Sequence, residues 1–123
     1  MKYFKTKNLI IFILTLIILL SGFLFWNVNR GDNNQIIKLN NFTKCLSEKG
    51  MTMYGLQNCH WCQKQKSDFG DAWQYINYVE CSNDPNGCLA KGVQSFPTWF
   101  LNGEKIVGYQ KLEDLSNKTG CAL

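Results

Sequence analysis

Two cysteines separated by two residues, Cys59 and Cys62, constrain the fold of this chain more than any other feature. Residues 51–55 before them have the apolar pattern of a buried strand, and residues 63–69 after them predict the start of a helix. At such a junction, unpaired N–H groups and the positive end of the helix dipole stabilise a thiolate on the first sulfur. The pattern therefore predicts a nucleophilic Cys59 and, one helical turn further in, a resolving Cys62.

The alternatives for this pair are an inert disulfide or a metal site. A zinc ribbon needs a second pair of closely spaced cysteines, and Cys81 and Cys88 are too far apart in sequence to supply one. A c-type haem needs His at the position of Gln63. Met51 and Met53 would be soft ligands for Cu(I), but alternation along a strand puts both on one buried face. The residues favour redox chemistry with no cofactor beyond the disulfide itself, and a copper- or zinc-binding module is the alternative.

An apolar run of eighteen residues, Leu9 to Trp26, lies near the N-terminus. As a helix it would be about 27 Å long, close to the hydrocarbon thickness of a bilayer, and it predicts a transmembrane signal-anchor. The basic tail over residues 1–8 should stay in the cytoplasm, which places the rest of this single-pass cell-membrane protein on the extracytoplasmic side. A cleaved signal peptide is the competing interpretation, but the run is long for one and no Ala-x-Ala site follows.

The remainder divides into a polar, turn-prone linker over residues 27–40 and one small domain over residues 41–123. Beyond Arg30 the chain has nine basic and nine acidic residues, so the net charge of +4 comes from Arg30 and the N-terminal lysines. A domain without net positive charge argues against nucleic acid as a partner. Six cysteines in so short a chain indicate an oxidising compartment.

Periodicity and turn residues predict a mixed α/β domain. A helix-linked pair of strands followed by a hairpin makes a mixed sheet with helices on both faces. The predicted elements are a helix over 41–49 ending at Gly50, strands over 51–55 and 75–80, a helix from the cysteine pair to about Trp73, a short helix from the 84–87 turn to Lys91, a hairpin of 98–101 and 105–108, and a last helix over 111–118.

Several of these features together resemble thioredoxin-fold proteins: the cysteine pair at a strand-to-helix junction, Phe96-Pro97-Thr98 opening a late strand, and a closing helix. Segments 53–55, 59–66, 75–81 and 96–99 resemble the thioredoxin-like domain fused to bacterial and plant homologues of vitamin K epoxide reductase. The resemblance covers about residues 45–115. It implies a domain that exchanges disulfides with substrate proteins and is reoxidised by a quinone-linked membrane enzyme. Thioredoxins have a buried acid six residues before the first cysteine, and this chain has Met53 at that position.

Four residues are candidates for tuning the cysteines and binding substrate. A protonated His60 would stabilise a thiolate and make the protein more oxidising, whereas an exposed His60 would have little influence. Trp61 is a candidate apolar contact for unfolded substrates. The resemblance implies that Pro97 follows a cis peptide bond beside the cysteine pair and that Phe96 offers its backbone to an extended substrate. A trans proline at a strand start is the alternative.

The other four cysteines fall into two pairs, for which we expect different arrangements. Cys81 and Cys88 predict a structural disulfide across the turn between them, a pairing that the resemblance also implies, with a second redox relay as the alternative. Cys45 and Cys121 either pair, which would tie the last helix to the first, or remain free, because six cysteines allow fifteen pairings.

The sequence therefore predicts a membrane-anchored thiol–disulfide oxidoreductase that acts on protein thiols and disulfides, in the oxidising direction more than in the reducing one. A vitamin K epoxide reductase-like or other quinone-linked membrane enzyme is the expected redox partner. A reductase or isomerase role, the metal-binding module and a non-catalytic tethered binding domain are the alternatives.

Overall fold

The computed structural model describes the backbone of residues 2–123 and the side chains of residues 7–27 and 32–123. Met1 and the side chains of Lys2 and Lys5, on which the predicted basic tail depends, lie outside the described residues. The chain divides into two compact units, Met1–Gln35 and Ile36–Leu123.

The first unit is formed by helix α1, which spans Lys2–Glu48 and continues into the second unit. The apolar side chains of residues 9–26 are exposed, and the helix is long and apolar enough to cross a membrane, a property that an N-terminal signal sequence shares. Residues 27–40, predicted to be turn-prone, are helical. Extending an existing helix avoids the cost of nucleating one, so polar residues such as Asn33 and Asn34 continue it at a cost of a fraction of a kcal/mol each, about 0.5.

Gly50 stops helix α1 two residues after its last residue, Glu48, as the sequence predicts. Gly50 has a φ of 79°, and its N–H donates to the Ser47 carbonyl at 2.9 Å. The N–H of Met51 donates to the Leu46 carbonyl at 3.0 Å. These two bonds form a Schellman motif, and its usual apolar contact is supplied by Leu46 and Met51, which are both fully buried. The motif turns the chain into the first strand.

The second unit contains a four-stranded sheet in the order β2-β1-β3-β4. Strand β1 is parallel to β2 and antiparallel to β3, which forms an antiparallel hairpin with β4. A 3₁₀ helix over Gly70–Tyr75 replaces the end of the second predicted helix, because Gly70 at a φ of 51° does not continue an α-helix. The elements are β1 Thr52–Gly55, α2 His60–Phe69, β2 Asn77–Glu80, α3 Pro85–Ala90, β3 Thr98–Leu101, β4 Glu104–Val107 and α4 Leu112–Thr119.

Each face of the sheet has its own apolar core. Met53 of β1 lies in the larger core with side chains from the end of α1, from α2 and from α4, among them Phe69 and Leu115. Tyr54 points to the opposite face and packs with Phe100 against the smaller core around α3. This alternation of successive β1 residues places helices on both faces. The predicted α/β fold class, a mixed sheet with helices on both faces, is confirmed.

Candidate active site

Cys59 is the N-cap residue of α2. Its backbone is extended (φ −84°, ψ 119°), and its Sγ accepts a hydrogen bond from the N–H of Cys62 at 3.2 Å. The loop before it is closed by the N–H of Cys59, which donates to the Leu56 carbonyl at 3.2 Å. Cys59 is partly exposed and carries a free thiol. A sulfur at this position receives both a backbone N–H and the positive end of the helix dipole.

Cys62, the second free thiol, is fully buried one turn into α2. Burial, and then the hydrogen bond with Cys59, raise the pKa of Cys62 to about 12. The pair therefore consists of one accessible sulfur and one sulfur held as a protonated thiol. The two thiols therefore differ in accessibility, and their roles as the attacking and the resolving cysteine stay a prediction.

A polar pair that sequence reasoning missed lies beside Cys62. The hydroxyl of Tyr78, on β2, donates to Glu80 Oε2 at 2.7 Å. Burial, and then this hydrogen bond, raise the pKa of Tyr78 well above its ordinary value. Partial desolvation works to raise the pKa of Glu80, but hydrogen bonds from Tyr78 and Ser82 outweigh it and lower that pKa. The parallel register of β1 with β2, which aligns Gly55 with Glu80, places this pair near the cysteines. The sequence could have indicated its position only through the pairing of these two strands, which are far apart along the chain.

The residues between the cysteines lie on the surface. His60 and Trp61 are exposed, and their rings meet edge to face with centroids 5.4 Å apart. Trp61 is 55% exposed and also lies 5.8 Å from the ring of Tyr109, which sequence reasoning missed. The Tyr109 hydroxyl donates to Asp68 Oδ2 at 2.6 Å, and this bond holds Tyr109 against α2. The surface beside Cys59 is therefore aromatic.

The peptide bond between Phe96 and Pro97 is cis, as the resemblance implies. The side chain of Pro97 is fully buried, and its carbonyl accepts a hydrogen bond from the N–H of Gly108 at 2.7 Å. Phe96 is partly exposed and packs, like Cys59, against the larger core. No hydrogen bond in the described part of the chain uses the backbone groups of Phe96.

The remaining cysteines form two disulfides. Cys45 is joined to Cys121, with a Cα–Cα distance of 5.9 Å, and Cys81 to Cys88, at 5.8 Å. Met51 and Met53, the residues considered as Cu(I) ligands, are fully buried in the larger core. Among the residues that the structure describes, no three His, Cys, Asp or Glu side chains are grouped as a metal site would require.

The chain is similar to known proteins in sequence and in structure. No protein-family model matches the chain. The chain is 35% identical to the thiol-disulfide oxidoreductase LTO1 of Arabidopsis thaliana, over 65% of this chain and 24% of the plant protein. It therefore spans about a quarter of that relative's length. The oxidized glutaredoxin 2 of Chlamydomonas reinhardtii matches 68% of this chain and 82% of its own, with a TM-score of 0.36 and 20% identity.

Proposed function

We propose that this protein is a thiol–disulfide oxidoreductase that exchanges disulfides with substrate proteins. The observation that carries the proposal is the unequal pair of free thiols: Cys59 is partly exposed at the N-cap of α2, and Cys62 is buried three residues later. The other four cysteines are already paired, so these two are the thiols available for exchange. Similarity to a plant thiol-disulfide oxidoreductase supports the same reading.

The mechanism follows from the positions of the two sulfurs. The Cys59 thiolate attacks one sulfur of a substrate disulfide and forms a mixed disulfide, and the other substrate sulfur leaves as a thiolate. Cys62 then attacks Cys59 Sγ, which releases the second substrate thiolate and leaves a Cys59–Cys62 disulfide. In the oxidising direction these steps run in reverse. Trp61 would contact apolar parts of an unfolded substrate, and Phe96 would pair its backbone with an extended one.

The proposed location is the extracytoplasmic side of a membrane, with α1 as a single-pass anchor. Its apolar segment has the required length, and two disulfides persist best in an oxidising compartment. Oxidation of substrates is the proposed direction, with reoxidation by a vitamin K epoxide reductase-like or other quinone-linked membrane enzyme. His60 would favour this direction by stabilising the reduced, thiolate form when it is protonated.

Trapping of the mixed disulfide tests the proposal. The full chain in detergent, as Cys62→Ser and with Cys59 as a free thiol, is mixed with unfolded ribonuclease whose disulfides have been scrambled. We expect a covalent adduct through Cys59, because the thiol that would release the substrate is missing. The matched Cys59→Ser variant should form none, since buried Cys62 cannot reach a protein substrate. Equal adduct from both variants, or none from either, would refute the proposal.

The reduction potential of the Cys59–Cys62 pair tests the direction. A potential near −120 mV, that of strong oxidases, would support disulfide formation, and one near −270 mV, that of thioredoxin, would instead indicate reduction. Labelling of reduced Cys59 by a membrane-impermeant maleimide in intact cells tests the location. Labelling only after permeabilisation would contradict the proposed extracytoplasmic side.

A further inference from the structure

The buried thiol of Cys62 needs a route for its proton. To attack Cys59 it must become a thiolate, yet its side chain is fully buried and its pKa is about 12. At pH 7 a group with such a pKa is ionised in about one molecule in 10⁵. The side chains below it in the larger core, such as Met53, are apolar and cannot accept a proton. The base that accepts the proton of Cys62 must therefore lie to the side of the thiol, along the sheet.

Gly55 makes room for that contact. A Cβ placed on Gly55 would lie 3.1 Å from Cys62 Sγ, 3.1 Å from the Tyr78 hydroxyl and 3.0 Å from Tyr78 Cε2. The sulfur and the hydroxyl oxygen therefore flank the same point of β1, left open by a residue with no side chain. Two atoms that each lie 3.1 Å from one point are at most about 6 Å apart, a gap that a single bridging water can span.

From Tyr78 the connection continues to the surface. Its hydroxyl donates to Glu80 Oε2, and Glu80 Oε1 accepts from the Ser82 hydroxyl at 2.7 Å and from the N–H of Gln57 at 3.2 Å. Glu80 is partly exposed, so its carboxylate can exchange protons with solvent. Lys66 Nζ lies 4.1 Å from the centre of the Tyr78 ring. The titratable groups that interact with Cys62 or Tyr78 are thus Cys59 and Lys66 from α2 and Glu80 from β2.

We propose that Tyr78 and Glu80 form a proton relay that activates Cys62 for the resolving step. This inference rests on the proposed function. The Cys62 thiol gives its proton through one bridging water to the Tyr78 hydroxyl, while the hydroxyl gives its own proton to Glu80 Oε2. The Cys62 thiolate attacks Cys59 Sγ, the Cys59–Cys62 bond forms and the bond from Cys59 to the substrate sulfur breaks. The substrate sulfur leaves with that electron pair, and Glu80 returns its proton to solvent.

The aromatic disulfide 5,5′-dithiobis(2-nitrobenzoate) separates the two chemical steps in the reduced full chain in detergent. Attack by Cys59 releases one thionitrobenzoate, and attack by Cys62 on the mixed disulfide releases a second. We expect Tyr78→Phe and Glu80→Gln to slow the second release at pH 7 about a hundredfold or more, the lower end of what general acid–base catalysis contributes. The first release should change less than about threefold, because Cys59 does not depend on the relay.

Two variants at other positions of the same sheet serve as matched controls. Tyr54→Phe removes a hydroxyl from the opposite face, and Glu104→Gln removes an exposed carboxylate from β4; both should leave the two releases unchanged. Normal second releases in both Tyr78→Phe and Glu80→Gln, or equal slowing in the controls, would overturn the relay. If the wild-type chain showed no first release, the proposed function itself would fail.

A measurement on the unaltered chain keeps the relay testable even where a variant does not fold. With a carboxylate as base, the rate of the second release should be nearly constant from pH 6 to 9, since Glu80 is ionised throughout. Without a relay, the rate should follow the ionisation of Cys62 and rise about tenfold per pH unit. A tenfold rise per unit in wild type would overturn the proposal, and a flat wild-type profile that becomes steep in Tyr78→Phe would support it.

Discussion

The two disulfides should differ in their contribution to stability, because they close loops of very different length. Cys45 and Cys121 are separated by 76 positions, and Cys81 and Cys88 by 7. The chain-entropy relation gives about 4.5 kcal/mol for the long loop and about 2.4 kcal/mol for the short one. We therefore expect Cys45→Ala/Cys121→Ala to lose about 2 kcal/mol more than Cys81→Ala/Cys88→Ala.

Urea unfolding of the full chain in detergent, followed by near-ultraviolet circular dichroism, measures this difference. Both double variants keep the Cys59 and Cys62 thiols beside one disulfide, so unfolding is measured at pH 5, where few thiols are ionised and disulfide exchange is slow. Removing the long bridge should also increase the dependence of the unfolding free energy on urea, since the unfolded chain becomes less compact. Equal losses in the two variants, or a larger loss without the short bridge, would refute loop closure as the source of the stabilisation.

Three further predictions follow from the site. Gly55→Ala should lower the free energy of unfolding by about 1–3 kcal/mol and slow the second thionitrobenzoate release, because its Cβ would be 3.1 Å from Cys62 Sγ; unchanged stability and rate would contradict the close contact. Because the pKa of Cys62 is raised from 9.0 to about 12, the protonated thiol stabilises the fold fully below pH 9, and this contribution is lost as the pH rises toward 12. Between pH 9 and 11, urea titrations should therefore show a smaller loss of unfolding free energy for Cys62→Ala than for the wild-type chain. Trp61→Ala should change stability by less than about 0.5 kcal/mol but slow exchange with reduced ribonuclease several-fold, leaving the first thionitrobenzoate release unchanged; equal effects on both substrates would argue against a protein-binding role.

Local signals in the sequence predicted most of the fold. Gly50 ends α1, the Asn102-Gly103 turn makes the hairpin, and the cysteine pair begins α2, because each depends on a few neighbouring residues. The composition of residues 27–40 indicates turns, and that part of the prediction was wrong, because the helix on either side extends through the segment. Propensity is a weak guide wherever adjacent structure supplies a nucleus.

The parts of the site that the sequence did not predict depend on contacts between distant residues. Tyr78 looks like an ordinary strand residue, and Glu80 like a solvent-facing one. Their place beside Cys62 follows from the register of β1 with β2, which aligns Met53 with Tyr78 and Gly55 with Glu80. A shift of that register by one residue would turn Tyr78 to the opposite face. The pattern of each strand alone does not contain this information.

The carboxylate proposed as the base, Glu80, lies at the end of β2 and not at the position of Met53, where thioredoxins have a buried acid, and the cost of burying a charge explains this. A carboxylate at Met53 would be fully buried, where desolvation raises the pKa of an acid and costs several kcal/mol, on the order of 3. A tyrosine hydroxyl stays neutral, so Tyr78 can extend into the interior at lower cost while Glu80 keeps its charge near solvent. Because hydrogen bonds lower the pKa of Glu80, it remains a base in mildly acidic conditions. The second thionitrobenzoate release should therefore persist at pH 5, where a buried acid would be protonated, and its loss between pH 6 and 5 would argue for a different base.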